Sequence, residues 1–254
     1  MNRFIKSLLM AATFLTLVAA GTLATLTHAA EAAKKIRVLL VTVDDVSVHP
    51  WPQVSQAIKE ILNSTGRFEV RVCEDPGVLD SAQSLTRYDM IFLQYFNAQS
   101  PTLSATAKEN LLSFVSNGKG LTIAHLSSAS FKEWPEFRKL CGRYWVMGAS
   151  GHGPRGVFKA RIAKKDHPIT QGLEDFEADD ELYAKLQGDA PIDVLVEADS
   201  DFSHKTEPLA FTVEYGKGRV FHETLGHDGK ALENPTLQKL IQRGCEWAAT
   251  GTVK

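Results

Sequence analysis

Apolar segments of strand length alternate with helix-like segments along the first half of the chain. Residues 36–43 are β-branched and almost wholly apolar, which is typical of a parallel strand buried on both faces. Residues 90–93 and 121–124 repeat this pattern, and residues 68–73 alternate apolar and charged side chains as a more exposed strand does. Strands that alternate with helices predict a mostly parallel sheet.

Helical periodicity predicts further elements around these strands. The first helix covers residues 51–62, and a second begins at Ser100 and Pro101, because a hydroxyl caps a helix and proline suits its first position. Between residues 73 and 90 we expect a short loop or turn in place of a crossover helix. Two later helices are predicted over residues 134–141 and 235–249.

Strand signals dominate the second half of the chain. They cover residues 157–162, 194–197, 209–213 and 219–225, and Gly216 to Gly218 supplies a hairpin turn between the last two. Without repeats or a linker, the sequence predicts one α/β domain over residues 30–254, with an elaborated, β-rich second half.

The first 29 residues have the pattern of a secretory signal peptide. Arg3 and Lys6 precede an apolar run from Leu8 to about Leu26, and small residues lead to Ala29. An uncleaved membrane anchor is the alternative. Either interpretation places the folded part beyond the inner membrane, and cleavage predicts a periplasmic or secreted protein. No later segment is apolar and long enough to cross a membrane, so no stable span is expected after cleavage.

Charge and cysteine content exclude several functions. The formal net charge is −2, and loss of Arg3 and Lys6 with the signal peptide makes it about −4, so nucleic acid is not an expected partner.

Neither a P-loop nor a GxGxxG motif follows the first strand, which argues against a bound nucleotide. The three cysteines lack metal or redox spacing. Buried thiols are favoured over one disulfide with one free thiol, and a homo-oligomer is compatible with the sequence.

Several polar residues lie where predicted strands end, and ligands bind beyond the carboxyl ends of such strands. His125 ends the fourth strand and His227 follows the last one. Asp180, Glu181 and Tyr183 lie in an acidic cluster, where mutual repulsion can raise one carboxyl pKa into the range of a general acid or base. A solvated acidic turn is the alternative for this cluster.

Two loops supply further candidates. Asp44 and His49 follow the first strand, and either could instead shape a turn or the entry to a helix. His152 has glycines on both sides, which allow backbone to approach a ligand but also suit any flexible loop. The histidines and acids are compatible with a divalent metal, whose site would have to be assembled across loops because no tight ligand motif is present.

Taken together, these segments resemble the ThuA-like proteins, the trehalose-utilisation family, from about Ile36 to Thr250. The resemblance is carried by residues 37–41 with His49 downstream, and by residues 120–125, 167–173, 180–183, 216–221 and 225–227. It implies a flavodoxin-like, doubly wound sheet with helices on both faces, as in class I glutamine amidotransferases. It also implies a role in carbohydrate metabolism and a link to 3-keto-glycosides.

Two functional hypotheses follow. Glutamine amidotransferase chemistry is excluded, because it needs a cysteine at the turn where this chain has His125. The first hypothesis is an enzyme acting on a glycoside or 3-keto-glycoside by acid/base chemistry, with or without a metal. Its expected catalytic residues are His125, Glu181 and His227, and its expected substrate-binding residues are Asp44, His49, His152, Asp180 and Tyr183. The second hypothesis is a non-catalytic sugar-binding or scaffold protein. Convergence of the histidines and Glu181 would favour the enzyme.

Overall fold

A nine-stranded mixed sheet forms the centre of the protein. The structure, a computed structural model, describes residues 34–44, 46–96, 98 and 103–254. The predicted signal peptide and the predicted helix start at Ser100 and Pro101 lie outside these residues. Residues 33–254 form one compact unit.

The strands and helices follow the predicted alternation in the first half. The strands are β1 (Ile36–Asp44), β2 (Phe68–Cys73), β3 (Met90–Phe96), β4 (Gly120–Ala124), β5 (Gly151–His152), β6 (Gly156–Ile162), β7 (Phe176–Asp180), β8 (Tyr183–Ala184), β9 (Asp193–Ser200), β10 (Lys205–Tyr215) and β11 (Gly218–Glu223). The helices are α1 (Trp51–Asn63), α2 (Ala82–Leu85), α3 (Ala105–Ser116), α4 (Pro135–Cys141) and α5 (Pro235–Thr250).

Five strands make the parallel half of the sheet, in the order β2-β1-β3-β4-β11. This is the 2-1-3-4-5 order of flavodoxin-like folds, with the last strand of the chain in the fifth place. The predicted α/β class and flavodoxin-like parallel core are therefore confirmed. Every residue of β3 and β4 is buried, which explains why their side chains, apart from Gln94 of β3, are apolar or small.

The β-rich second half extends the same sheet with antiparallel strands, in the order β11-β10-β9-β6-β7. The predicted hairpin is present, because Tyr215 pairs with Gly218 where β10 turns into β11. The strands β5, β7 and β8 were not predicted. β5 pairs with β8 in a separate two-stranded sheet beside the main one.

Helices cover both faces of the sheet. Buried side chains of α1 and α5, including Ile58 and Leu240, pack in one apolar core with β1 and β3. Buried side chains of α3 and α4, including Leu111 and Phe137, pack in a second core on the opposite face. The predicted doubly wound arrangement is confirmed by these two cores.

Local features refine the sequence predictions. The connection from β2 to β3 contains only a 3₁₀ turn and the one-turn helix α2. The described part of α3 begins at Ala105, where the Ser104 hydroxyl accepts the N–H of Ala107 at 2.9 Å. All three cysteines are free thiols. Within the described ranges, we find no helix with both the length and the apolar character needed to cross a bilayer.

Candidate metal centre and active site

Four side chains from four separate segments meet at the carboxyl edge of the parallel strands. They are His49, His125, Glu181 and His227. One nitrogen or oxygen atom of each lies within 4.8 Å of the corresponding atom of all the others. His49 follows β1, His125 follows β4, Glu181 follows β7 and His227 follows β11. The sheet topology thus assembles residues that are up to 178 positions apart in the sequence.

The turn after β4 positions His125. Its φ of 47° is in the left-handed region, which is uncommon for a residue with a side chain and costs on the order of 1–3 kcal/mol. The imidazole Nδ1 lies 2.8 Å from the carbonyl oxygen of Thr224. Because a carbonyl only accepts, Nδ1 carries the proton, and Nε2 has the lone pair that accepts the Tyr183 hydroxyl at 2.8 Å.

The three histidine rings of the centre touch edge to face. The centroid of His49 lies 5.1 Å from that of His125 and 4.9 Å from that of His227, while His125 and His227 are 5.6 Å apart. His49 and His125 are buried, and the side chain of His227 is 11% exposed. The three rings therefore form one compact cluster at the centre of the site.

Glu181 supplies the negative charge of the centre. Its Oε2 lies 3.2 Å from Nδ1 of His227, 3.7 Å from Nε2 of His125 and 3.6 Å from Nε2 of His152. The carboxylate is 13% exposed, and one oxygen atom is shared among three imidazoles. Such a shared oxygen is available as a metal ligand or as a proton acceptor.

Burial and charge set the protonation of these groups. Burial, reinforced by the charge of His49, lowers the pKa of His125 to about 3. Burial acts to raise the pKa of Glu181, but the contact with His227 and the charges of the surrounding histidines outweigh it and lower this pKa to about 2. The contact with Glu181 raises the pKa of His227. His125 is therefore neutral and Glu181 ionised near pH 7.

Asp180 lies behind the centre and holds its backbone. Its side chain is almost fully buried, and it accepts the N–H of Glu181 at 2.8 Å, of Gly226 at 2.6 Å and of His227 at 3.3 Å. Burial raises its pKa to about 6 against the effect of these three donors. Gly226 has a φ of 91°, so a side chain there would strain the turn that points its N–H at Asp180.

Tyr183 and His152 place two further proton-carrying groups beside the centre. The hydroxyl of Tyr183 lies 2.8 Å from Nε2 of His125, and the Tyr183 ring is buried. His152 is 33% exposed, and its Nδ1 lies 2.7 Å from the carbonyl oxygen of Gly153, which leaves Nε2 facing Glu181. Trp145 packs on Tyr183 with ring centroids 4.6 Å apart.

An ion pair joins the loop of His152 to the loop of His227. Arg155 contacts the carboxylate of Asp228 through both terminal nitrogens, with Nη2 to Oδ1 at 3.1 Å, and also donates to the backbone carbonyl of Asp179 at 3.2 Å. The glycine-rich segment that carries His152, residues 148–156, is thereby tied to the turn after β11. This two-pronged contact matches the fork of the guanidinium group.

The structure brings most of the predicted site residues together. His49, His125, His152, Glu181, Tyr183 and His227 surround one point, and Asp180 supports them from behind. Asp44 is the last residue of β1, but its side chain lies outside what the structure describes.

Sequence analysis did not identify Trp145, Arg155 or Asp228 as part of this region. Trp145 precedes the glycine-rich segment, Arg155 lies within it, and Asp228 directly follows His227. Proximity in sequence to a candidate histidine was the available signal for Arg155 and Asp228, but neither contact could be predicted before the loops were placed.

Known proteins share this fold. The family model described as "ThuA: Trehalose utilisation" matches residues 37–248. A solved structure described as a ThuA-like protein, from Parabacteroides merdae, is 31% identical with a TM-score of 0.76, covering 87% of this chain and 92% of that chain. A ThuA-like protein from Bacteroides uniformis is 17% identical with a TM-score of 0.65, covering 84% and 90%.

A more distant likeness concerns the fold alone. A β-galactosidase from Bacillus circulans sp. alkalophilus is 12% identical with a TM-score of 0.56, and the match covers 84% of this chain but 31% of that enzyme. No protein with curated function matches the sequence significantly.

Proposed function

This chain belongs to the ThuA (trehalose utilisation) family, and we propose that it is a metal-dependent enzyme that acts on a glycoside or 3-keto-glycoside. The family description links it to carbohydrate use. The reaction and the metal are inferred from the site, because a fold alone does not specify chemistry.

The convergence of His49, His125, Glu181 and His227 is the observation that carries the proposal. In a tetrahedral zinc site, bonds of about 2.0–2.1 Å place the ligand atoms about 3.4 Å apart. The four ligand atoms here lie within 4.8 Å of one another, so the most distant pair would need to close by up to about 1.4 Å. Three imidazoles with one carboxylate suit zinc, iron, manganese or cobalt better than magnesium or calcium, which prefer oxygen.

The protonation states and the orientation of the ligands also support metal binding. His125 is neutral, and its Nδ1 is held by the carbonyl of Thr224, which is the usual way in which a protein orients a metal-binding histidine. Glu181 is ionised. A divalent cation held here would polarise an oxygen atom of the substrate.

Tyr183 and His152 are the groups that we assign to proton transfer. The Tyr183 hydroxyl lies against the centre, and His152 is the most exposed histidine around Glu181. In a 3-keto-glycoside the ketone acidifies the neighbouring C–H bond, so one base placed within hydrogen-bond reach can begin an elimination. His152 can serve as that base, and Tyr183 can protonate the leaving oxygen.

Elemental analysis of protein made without a histidine tag tests the metal centre. We expect about one transition-metal ion per chain, removable by a chelator. His227→Gln and Glu181→Gln should each weaken metal binding at least tenfold, by analogy with the loss caused by disturbing ligand geometry. His204→Asn is the matched control, since His204 is an exposed loop residue whose φ of 57° asparagine tolerates.

Turnover of glycosides and 3-keto-glycosides, with and without added metal, tests the activity. Loss of turnover in His152→Gln and Glu181→Gln with full turnover in His204→Asn is the expected result. Sugar binding without turnover by any substrate would favour the non-catalytic alternative. Full activity of the Glu181→Gln variant would overturn the proposed mechanism.

We also propose that the chain is exported to the periplasm or secreted. The support is the basic start, the apolar run and the Ala29 exit of the first 29 residues. N-terminal sequencing of protein recovered from cell fractions tests this. A mature terminus at Ala30 in the soluble extracytoplasmic fraction is expected, whereas an intact terminus in the membrane fraction would indicate an uncleaved anchor.

A further inference from the structure

We propose that the protein has a second ligand site, a cavity that binds an aromatic carboxylate with a hydrogen-bonding group at the opposite end of its ring. The cavity lies at the carboxyl end of β3 and has a volume of about 360 Å³. Small-molecule sites usually have volumes of roughly 300–1,000 Å³, so this cavity suits a ligand of one or two rings. Trp145 lines it and packs on Tyr183, whose hydroxyl contacts His125. Side chains therefore separate the cavity from the proposed metal centre, and binding there does not depend on the function proposed for that centre.

Tyr95 brings a buried hydroxyl group to the cavity. This residue lines the cavity and is 3% exposed, and within the described ranges its hydroxyl makes no hydrogen bond. The Ser127 hydroxyl accepts the N–H of Tyr95 at 2.8 Å, and the Ser130 hydroxyl donates to its carbonyl oxygen at 2.5 Å, so the backbone is fixed here. Because a buried tyrosine hydroxyl usually has a partner, this group favours a ligand with a hydrogen-bonding atom deep in the cavity.

Aromatic rings form much of the cavity wall. Tyr95 and Phe131 are stacked with centroids 5.7 Å apart, and Tyr144 and Trp145 contribute two more rings. Phe131 has a φ of 51°, in the left-handed region that is rare for a bulky residue. Such strain persists where the surrounding structure imposes it, and it is concentrated at ligand and active sites. Flat rings pack well on aromatic side chains, so this wall favours an aromatic ligand.

The rim of the cavity carries more positive than negative charge. Lys132, Glu133 and Arg138 line the cavity and are exposed. The guanidinium carbon of Arg138 lies 5.0 Å from the ring centroid of Tyr144, and Nη2 donates to the carbonyl oxygen of Lys132 at 2.7 Å. These contacts hold the guanidinium group against the aromatic wall and leave it further N–H donors. The excess of positive charge favours an anion, and a carboxylate matches the geometry of a guanidinium group.

The two kinds of polar group lie at different depths, because Tyr95 is buried and Arg138 is exposed. A ligand that reaches both has its carboxylate at the rim, its ring between the aromatic side chains and its hydrogen-bonding group at the inner end. A small inorganic anion would leave the aromatic rings uncovered, and a hydrocarbon would bury the Tyr95 hydroxyl without a partner. 4-Hydroxybenzoate has all three features and is therefore the probe.

Calorimetric titration of the intact protein with 4-hydroxybenzoate tests the site. Three related probes each lack one feature: benzoate lacks the hydroxyl, 4-hydroxybenzyl alcohol lacks the charge, and acetate lacks the ring. Tyr95→Phe and Arg138→Met each remove one polar group of the cavity. Tyr88→Phe and Arg87→Met are the matched controls, because both residues shortly precede β3, at the end of the strand opposite the cavity.

4-Hydroxybenzoate should bind wild-type protein about five- to tenfold more tightly than each of the other probes. Arg138→Met should weaken its binding about tenfold and leave the affinity for 4-hydroxybenzyl alcohol unchanged. Tyr95→Phe should weaken its binding about fivefold and leave the affinity for benzoate unchanged, because the stacked ring is retained. Both control variants should bind all four probes as wild type does.

Absence of saturable binding to wild type would overturn the assignment, and so would unchanged affinity in both cavity variants. Equal losses for the charged and the neutral probe in Arg138→Met would overturn it as well. Circular dichroism of each variant verifies that it is folded. Metal content, measured on the same preparations, tests the proposed function separately. Protein that binds 4-hydroxybenzoate but no metal would contradict the proposed metal centre and support the cavity.

Discussion

Asp180 accepts the backbone N–H of Gly226 at 2.6 Å, and this buried contact links two segments of the proposed metal centre. The same carboxylate accepts the N–H groups of Glu181 and His227. One side chain therefore fixes the backbone positions of two proposed ligands, Glu181 and His227, which are far apart in the sequence. Substrate binding, which we expected of Asp180 from its sequence, is replaced in our interpretation by positioning of the ligands.

Asp180→Asn should weaken metal binding by about 10–100-fold, the usual cost of disturbing groups behind a metal ligand. The amide has one accepting oxygen, and its NH₂ group would face backbone donors. Metal titration followed by calorimetry measures the effect. Asp179→Asn is the control, since Asp179 is partly exposed and pairs with Lys230. Equal affinities for the two variants would contradict a positioning role.

Tyr183→Phe should keep the metal and lose turnover. The phenylalanine ring can preserve the packing against Trp145, while the hydroxyl that contacts His125 is removed. Loss of a general acid or base lowers kcat by about 10²–10⁴-fold. Steady-state kinetics and elemental analysis should be run on the same preparation. Tyr215→Phe should leave both quantities unchanged, and metal loss in Tyr183→Phe would reassign Tyr183 to the structure of the centre.

Arg155→Met should loosen the glycine-rich segment that carries His152. It removes the two-pronged contact with Asp228 and keeps most of the side-chain length. A partly buried ion pair of this kind is worth about 1 kcal/mol, so thermolysin should cleave the segment roughly fivefold faster. Arg161→Met on β6 removes an ion pair with Asp199 of β9 and serves as the control. Identical cleavage of both variants would show that Arg155 does not hold the loop.

His222 should make the protein less stable as the pH falls from about 6.5 to about 4. Burial lowers its pKa to about 4, against the effect of a contact between Nδ1 and the carbonyl of Cys141 at 2.8 Å. Between these pH values His222 is protonated in the unfolded chain but remains neutral in the folded protein. The free energy of unfolding therefore decreases by about 3 kcal/mol in total. Above pH 6.5 the ring is neutral in both states, so it adds nothing to the pH dependence of stability.

Chemical denaturation of wild type and His222→Asn at several pH values isolates this effect. Asparagine retains a donor near the position of Nδ1 but does not titrate. We expect the stability difference between the two proteins to shrink as the pH decreases from 7 to 4. His204→Asn, at an exposed loop, should follow wild type throughout. A pH-independent difference for His222→Asn would show that His222 does not titrate in this interval.

The sequence predicted the parallel core well because its strands are buried on both faces. Residues 36–43 and 121–124 are almost wholly apolar because both faces of their strands are covered, and this pattern does not depend on how the second half of the chain folds. β7 was missed because Phe176 and Ala178 alternate with acidic residues, and its last residue, Asp180, is buried through backbone contacts that no local pattern reveals. Pairing with β6 stabilises this strand despite its weak propensity.

The expectation that ligands bind beyond the carboxyl ends of parallel strands identified the histidines of the site but not their geometry. It placed His125 and His227 correctly, because the ends of β4 and β11 are neighbours in the sheet. It could not show which acid of the cluster would face them. Asp180 and Glu181 are adjacent in sequence, yet one is held by backbone amides and the other by imidazoles. That division depends on contacts between segments more than 40 residues apart.

The residues of the site come from two parts of the chain, because β5 to β10 lie between β4 and β11 in sequence. His49, His125 and His227 follow strands of the parallel core, whereas His152, Glu181 and Tyr183 belong to the antiparallel region between α4 and β11. Evolution can therefore lengthen, shorten or replace this inserted region while the three core histidines keep their scaffold. On our assignment, a related protein could exchange its proton-transfer groups and its substrate without rebuilding the imidazole half of the centre.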